Sequence, residues 1–525
     1  MKKLFTLIVL FLSLTSTSFS QLEYKDVAGI FYNRCTSCHH TGGGAPFSLM
    51  SYSETLPQIW SIDFALNNNI MPPWPADTTY RRFAREHIIT QSEKNAILSW
   101  ISTAALPGDT TLAPAPPTYS QYKLTPPPDL VVQIPTFTSN ATSTDDAYNL
   151  FALPSGLVSN RIIRAVEIVP GNGGIVHHVS VGADTTATTS NDLSGSAFTF
   201  PANIGIGGFI PGSEPIVFPN STILKMGISL KAGSQILLQI HYPAGSGGQQ
   251  DSTQVRFYFY PIGTTGVREV YSFAPLQDWN YWMMPGEIKT VTADTALLDW
   301  LPLSIFSSLP HAHKICTDIL NYAYADTTLT GGAPDTIPLM RINDWQFHWQ
   351  FYYYYRNLVK IPMNYRYHGV HIYDNSSSNP NNPFSPPQLI IPGVNSNDEM
   401  FYDSFQIMAY YPGDENINID SLLSVDPLLT ASINETVIIN PWTYSFAYPN
   451  PFNQKTTIQI VSNQNQSTDD YKLKIIDATG KEVKPLIEKK ENAFEVSKSN
   501  LAPGIYFYQI STNKNGISTG KIIVN

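Results

Sequence analysis

The residues of this chain that can do redox chemistry are histidine, methionine and cysteine, and they fall in short clusters. His177 and His178 are adjacent, His241 follows at a distance, and His311 and His313 flank Ala312, with Met400 well downstream. Three imidazoles can build one metal centre, and two imidazoles with a thioether can build a second. A thioether is a soft ligand that favours Cu(I) and does little for zinc or magnesium, so the sets point to two copper ions. Upstream, Cys35-Thr36-Ser37-Cys38-His39 has the spacing of covalent haem attachment. Its two thiols can bond the haem vinyls while His39 reaches the iron from one side.

Each cluster has a plainer explanation. The Cys pair could be half of a zinc site, but the chain has three cysteines, so no second pair completes it. The sixth haem ligand is Met71, held on the rigid Met71-Pro72-Pro73-Trp74 turn, or its competitor Met50. His40, His87, His348, His368 and His371 read as surface or packing residues, and Cys316 as a small core residue. On a regular strand His311 and His313 share a face, whereas His177 and His178 point oppositely. The adjacent pair therefore needs a strand end or bulge, and glycines 171, 173 and 174 just before it supply one.

The elements that must carry these groups are mainly β. Charged residues make up 14% of the 525, well below the roughly 25% of ordinary soluble domains. The net charge of −10 includes no basic stripe, so a nucleic-acid partner is excluded. Residues 1–20 have the pattern of a signal peptide: Lys2 and Lys3, an apolar stretch too short to span a bilayer, and Ser18-Phe19-Ser20 before the cut. Gln21 rather than Cys follows, which argues against a lipid anchor. Residues 21–106 alternate helical stretches with Gly and Pro turns; Ser92 is placed to cap a helix over 90–103. Residues 107–128 form a Pro-rich linker. From 129 to 440 short β-branched and aromatic runs alternate with turn residues, which predicts β-sandwiches. Within them the aromatic run 345–355 reads as a core strand with Trp345, Phe347, Trp349 and Phe351 on one face. From 441 onward a small separate β unit has strands near 473–476 and 505–510 and a turn at Asp477-Ala478-Thr479-Gly480.

Three resemblances follow from these motifs. Residues 22–106 resemble the small cytochrome c domains of bacterial secreted proteins, which implies one covalently attached c-type haem with Met71 opposite His39. Four stretches, Ile175-Val176-His177-His178-Val179, Leu238-Gln239-Ile240-His241-Tyr242, Pro310-His311-Ala312-His313 and Asn397-Asp398-Glu399-Met400, are similar to the copper type II, ascorbate-dependent monooxygenases. Their order and spacing match over residues 127–415, together with 345–350, Tyr373-Asp374-Asn375-Ser376 and Asn379-Pro380. That resemblance implies two jelly rolls, 129–275 and 276–440. His177, His178 and His241 would hold an electron-transfer copper, and His311, His313 and Met400 the catalytic copper that meets dioxygen. The implied reaction hydroxylates an aliphatic C–H of an organic substrate, with electrons from ascorbate, a redox protein or the fused haem.

The sequence departs from that family in lacking disulfides and in carrying the haem segment. It also has Leu309 and Ser404 where peptide-specific members carry an Arg and a Tyr, which argues against a C-terminal glycine substrate. Finally, Ala447-Tyr448-Pro449-Asn450-Pro451-Phe452, Leu473-Lys474-Ile475-Ile476-Asp477, Leu501-Ala502-Pro503-Gly504-Ile505-Tyr506 and Lys521-Ile522-Ile523-Val524 resemble a type A sorting domain of type IX secretion. It implies passage through the periplasm and outer membrane by that machinery, to the cell surface or the medium. Two other functions use the same ligands: a non-enzymatic copper-binding or electron-relay protein of the cell surface, and a zinc hydrolase at the three-histidine site.

Overall fold

A computed structural model describes residues 21–119, 123–211, 213–296, 301–332, 335–430, 443–462, 471–477, 481–490, 493–511 and 516–525. The expected signal peptide and the Ala478–Gly480 part of the expected turn lie outside the described residues. The chain is mainly β, with several sheets and, among the described residues, no closed barrel. It divides into two compact units, 1–433 and 434–525.

The first unit opens with helices Tyr24–Arg34, Ile59–Asn67 and Gln91–Ser102. They close around Phe31, Ile62, Leu66, Ile97 and Trp100, whose spacing puts each on the inner face of its helix. The last helix starts one step earlier than the cap expected at Ser92. Thr90 is the N-cap: its hydroxyl accepts from the Glu93 N–H at 3.2 Å, and Glu93 accepts from the Thr90 N–H at 2.8 Å.

Two sandwiches follow. In the first, a five-stranded sheet runs Asp192–Gly195, Ala147–Pro154, Gln235–Tyr242, His178–Asp184 and Ile204–Phe209. It packs on a sheet that includes Arg161–Val169 and Gln254–Phe259, with Val181, Ile236, Leu238, Val255 and Phe257 buried between. In the second, Leu303–Leu309 lies between Tyr353–Ile361 and Phe401–Ala409, and faces a sheet built on Cys316–Ala325 and Tyr365–Asp374. All three cysteines are free, so burial of apolar surface holds these layers without disulfides.

The aromatic run is not a single strand. Pairing begins at Tyr353, and 343–352 form an irregular loop with a turn closed by Trp349 N–H to the Gln346 carbonyl at 2.9 Å. Trp345 is nevertheless buried, because its indole N–H donates to the His313 carbonyl at 2.9 Å.

Residues 74–87, between the second and third of these helices, leave the helical group and pack on the second sandwich. Asp77 N–H donates to Arg341 O at 2.8 Å, and Ala84 N–H to Tyr354 O at 2.7 Å. Phe83 is fully buried against Tyr353 and Tyr355, each at 5.4 Å. Glu86 closes the arm, accepting from Arg82 at 2.8 Å and Phe83 N–H at 2.7 Å and pairing with Arg356 at 3.3 Å.

Burial works to raise the Glu86 carboxyl, but these donors outweigh it and hold it below its ordinary value. A lowered folded value stabilises fully above the unfolded one, and the gain is lost as pH falls through the folded value. Amide protection over residues 76–84 is therefore expected to fall as acidification passes below the ordinary carboxylate value, and less so in Glu86→Gln. Equal acid sensitivity in the two proteins would show that Glu86 has no part in it.

The second unit is a sandwich of two four-stranded sheets. One runs Thr443–Tyr448, Lys455–Ser462, Ala493–Ser497 and Ile487–Lys490; the other Glu482–Val483, Lys472–Asp477, Gly504–Ser511 and Gly516–Val524. Its core is Phe452, Ile458, Ile475, Phe494, Ile510 and Ile522.

Candidate metal centres

Strand register builds the first centre. His241 is the penultimate residue of Gln235–Tyr242 and sits directly across from His178 on one neighbour and Tyr148 on the other. His178 is the first residue of its strand, so His177 lies just outside the regular pleat and is free of its alternation. Its N–H donates to the His241 carbonyl at 3.0 Å, which turns its ring toward the other two. One ligand atom from each ring lies within 4.8 Å of the others. The Nδ1 atoms meet, His178 to His177 at 3.4 Å and His178 to His241 at 3.2 Å.

The surroundings hold these rings in place. Tyr148 stacks on His241 at 4.3 Å, and Asp146 Oδ2 lies 3.2 Å from its Nε2. Burial works to raise Asp146, but His241 and Ser396 hold it well below the usual carboxylate range. Phe347 stacks on His177 at 5.0 Å. Burial pushes His177 down to about 3 and His178 well below its ordinary value, so both rings are neutral and offer lone pairs at neutral pH.

The second set comes from a loop rather than a strand. His311 and His313 follow Leu303–Leu309 in the extended connection to Cys316–Ala325, with Ala312 buried between them. Their rings stand 5.3 Å apart and perpendicular. His311 Nδ1 contacts Gln350 Oε1 at 2.5 Å, and His313 Nδ1 faces the Asp398 carbonyl at 3.3 Å. With Nδ1 occupied, each ring has Nε2 left for a ligand. Burial pushes His311 down to about 4 and His313 well below its ordinary value.

Met400 directly precedes Phe401–Ala409, and Tyr373 anchors its carbonyl at 2.9 Å. Buried carboxylates fix this loop: Asp403 accepts the His311 N–H at 3.1 Å, and Glu399 accepts those of Ile315 and Met400 at 3.0 Å each. His371 supports Asp403 from beneath, its Nε2 3.0 Å from Oδ2, which is the structural role expected of it.

Both sets face one cavity of about 350 Å³ between the two sandwiches. His178 lines it from one side and His311, His313 and Met400 from the other. The 343–352 loop touches everything here: Phe347 meets His177 and, at 6.0 Å, His313; Gln350 holds His311; and Phe351 stacks on Trp74 of the arm at 6.1 Å.

In the helical group Cys35 and Cys38 are half-buried free thiols one helical turn apart, following Tyr24–Arg34. His39 packs on Phe47, and its Nδ1 lies 3.1 Å from the Phe47 carbonyl, which again directs Nε2 outward. This donor set fits a planar prosthetic group bonded through two thioethers and one imidazole. Met71 follows the turn after Ile59–Asn67, and Met50 precedes the short helix Tyr52–Thr55; both are half-buried. His40 is a packing residue, stacked on Tyr119 at 3.9 Å. His87 packs between Trp74 and Phe351, His368 pairs with Asp294 at 3.2 Å, and His348 is exposed.

Asp146, Tyr148, Phe347 and Gln350 were not singled out from sequence as groups supporting the histidines. The alternating histidines were visible by residue type, but these partners are brought in by register and by a loop.

Comparisons with known proteins bear on one end of the chain. No curated protein sequence matches it. Solved structures with some likeness include the infectious bursal disease virus VP2 subviral particle, at 11% identity over 57% of this chain and 76% of that one, TM-score 0.16. Another is the CBM22-1-CBM22-2 tandem domain of Paenibacillus barcinonensis Xyn10C, at 11% identity over 53% and 82%, TM-score 0.13. Likenesses this weak carry no argument. Residues 447–525 match the secretion system C-terminal sorting domain family, so the chain carries a type IX export module, engages that machinery, and passes through the periplasm and outer membrane to the cell surface or the medium.

Proposed function

We propose that the first unit is a copper-dependent monooxygenase with a cytochrome c segment and two jelly rolls, hydroxylating an aliphatic C–H with dioxygen. The observation that carries this reading is two separate sets of imidazoles, one with a thioether, that meet at one cavity lined by His178 of the first set and by His311, His313 and Met400. The net reaction is R–H + O2 + 2 electrons + 2 protons giving R–OH and water. Copper in the two sets would supply redox cycling and dioxygen activation, and Cys35, Cys38, His39 and Met71 would hold a c-type haem that supplies single-electron relay. His177, His178 and His241 offer three imidazole nitrogens, which suits both copper oxidation states. Met400 adds a soft sulfur beside His311 and His313, which favours Cu(I). Gln350 and the Asp398 carbonyl fix the ring orientations, and the apolar wall excludes bulk water from the reacting carbon.

A non-enzymatic copper or electron carrier is the second reading, and the cavity beside Met400 argues against it. The test is copper content, carbon monoxide binding by the reduced protein, and oxygen uptake, in wild type and Met400→Ala. Two copper ions per chain, a carbonyl band that the substitution shifts or abolishes, and oxygen uptake that needs an organic substrate are expected. Zinc alone in the sites would favour a hydrolase, and copper without substrate-dependent uptake would favour the carrier.

A further inference from the structure

We propose that the cavity takes a small uncharged organic molecule with an aromatic or aliphatic body; this rests on the copper reading of its two ligand sets. At about 350 Å³ the cavity lies at the low end of the roughly 300–1,000 Å³ of small-molecule pockets, too small for a polymer. Seven aromatic side chains, Tyr148, Phe198, Phe200, Phe209, Trp279, Tyr352 and Tyr402, contribute to its wall. Among the described residues that line it there is no Lys, Arg, Asp or Glu. An ion entering would lose its hydration and meet no oppositely charged side chain in the wall, whereas apolar surface is stabilised by leaving water.

A carboxylate is disfavoured further by what stands behind the wall. Asp146 lies against His241, and Asp403 beneath the His311 N–H. An ammonium group would have only aromatic faces, with no wall carboxylate to pair with. The hydroxyls of Tyr352 and Tyr402 are the polar groups suited to orient an alcohol, ether, ketone or amide. The mouth has the same character, since Phe198 and Trp279 are 42% and 47% exposed there.

The experiment titrates the copper-loaded, reduced full chain, without oxygen, with three probes of one shape: 3-phenylpropan-1-ol, 3-phenylpropionate and 3-phenylpropylamine. Calorimetry should show the alcohol binding at least about tenfold tighter than either ion. Trp279→Ala should weaken the alcohol, and Leu309→Arg, which puts a guanidinium into the wall, should raise 3-phenylpropionate affinity about tenfold. Copper content and the carbonyl band are measured on every sample. With both intact, an ion that binds as well as the alcohol, or no binding by any probe, overturns the substrate class and leaves the copper reading standing. A chain that takes up no copper overturns the copper reading, and this proposal with it.

Discussion

Replacing His177 by alanine is expected to remove one of two bound copper ions and leave the other. Its ring nitrogen is one of three ligand atoms within 4.8 Å, and two imidazoles with no third donor make a poor site. The affinity loss should exceed the roughly 10- to 100-fold typical of losing a mere supporting partner. His177 is a better choice than His241 for this purpose. Removing His241 would also strip a polar partner from the largely buried Asp146 carboxylate and confuse metal loss with a folding defect. Outside the cluster His177 meets the stacked Phe347 and the edge of the exposed His348, so its removal disturbs little else. Metal analysis after dialysis against a chelator, with electron paramagnetic resonance of the remaining Cu(II), reads the result. His311→Ala should give the complementary loss. Two full copper equivalents in both variants would show that neither cluster is a metal centre.

How much of this was legible in the sequence depended on the kind of signal. Histidine and methionine are uncommon, so their clustering stood out from residue type alone, and the adjacent pair His177-His178 already demanded a strand end. The structure supplies that end, with His178 the first paired residue of its strand. Strand positions such as Arg161–Val169 also matched their β-branched runs. The aromatic run misled because Trp345, Phe347, Trp349 and Phe351 alternate with period two, the same pattern a buried strand shows. Local pattern could not reveal that Trp345 spends its indole N–H on the His313 carbonyl, which bends the run into a loop. Asp146 and Tyr148 were silent for another reason: their places beside His241 are set by cross-strand register, a non-local property.

The arm 74–87 was illegible for both reasons, and its removal gives the second large effect. Phe83→Ala deletes a fully buried ring between Tyr353 and Tyr355, a change that costs about 3–5 kcal/mol where the site cannot collapse. The second sandwich pairs its own strands without the arm, so the loss should appear as local release rather than global unfolding. Amide exchange at Asp77 and Ala84, whose N–H groups donate to Arg341 and Tyr354, should rise steeply, while amides within Cys316–Ala325 stay protected. Trp74→Ala should do less to stability, since Trp74 is only half-buried, but it sits three residues after Met71 and packs on Phe351 and Tyr353 at 6.1 and 5.1 Å. If that packing is what holds the thioether at the haem, the reduction potential should drop in Trp74→Ala, because a methionine ligand raises it. A redox titration followed in the visible spectrum measures this. An unchanged potential alongside a released arm would mean that Trp74 anchors the segment but does not hold Met71, and would shift the sixth ligand to Met50.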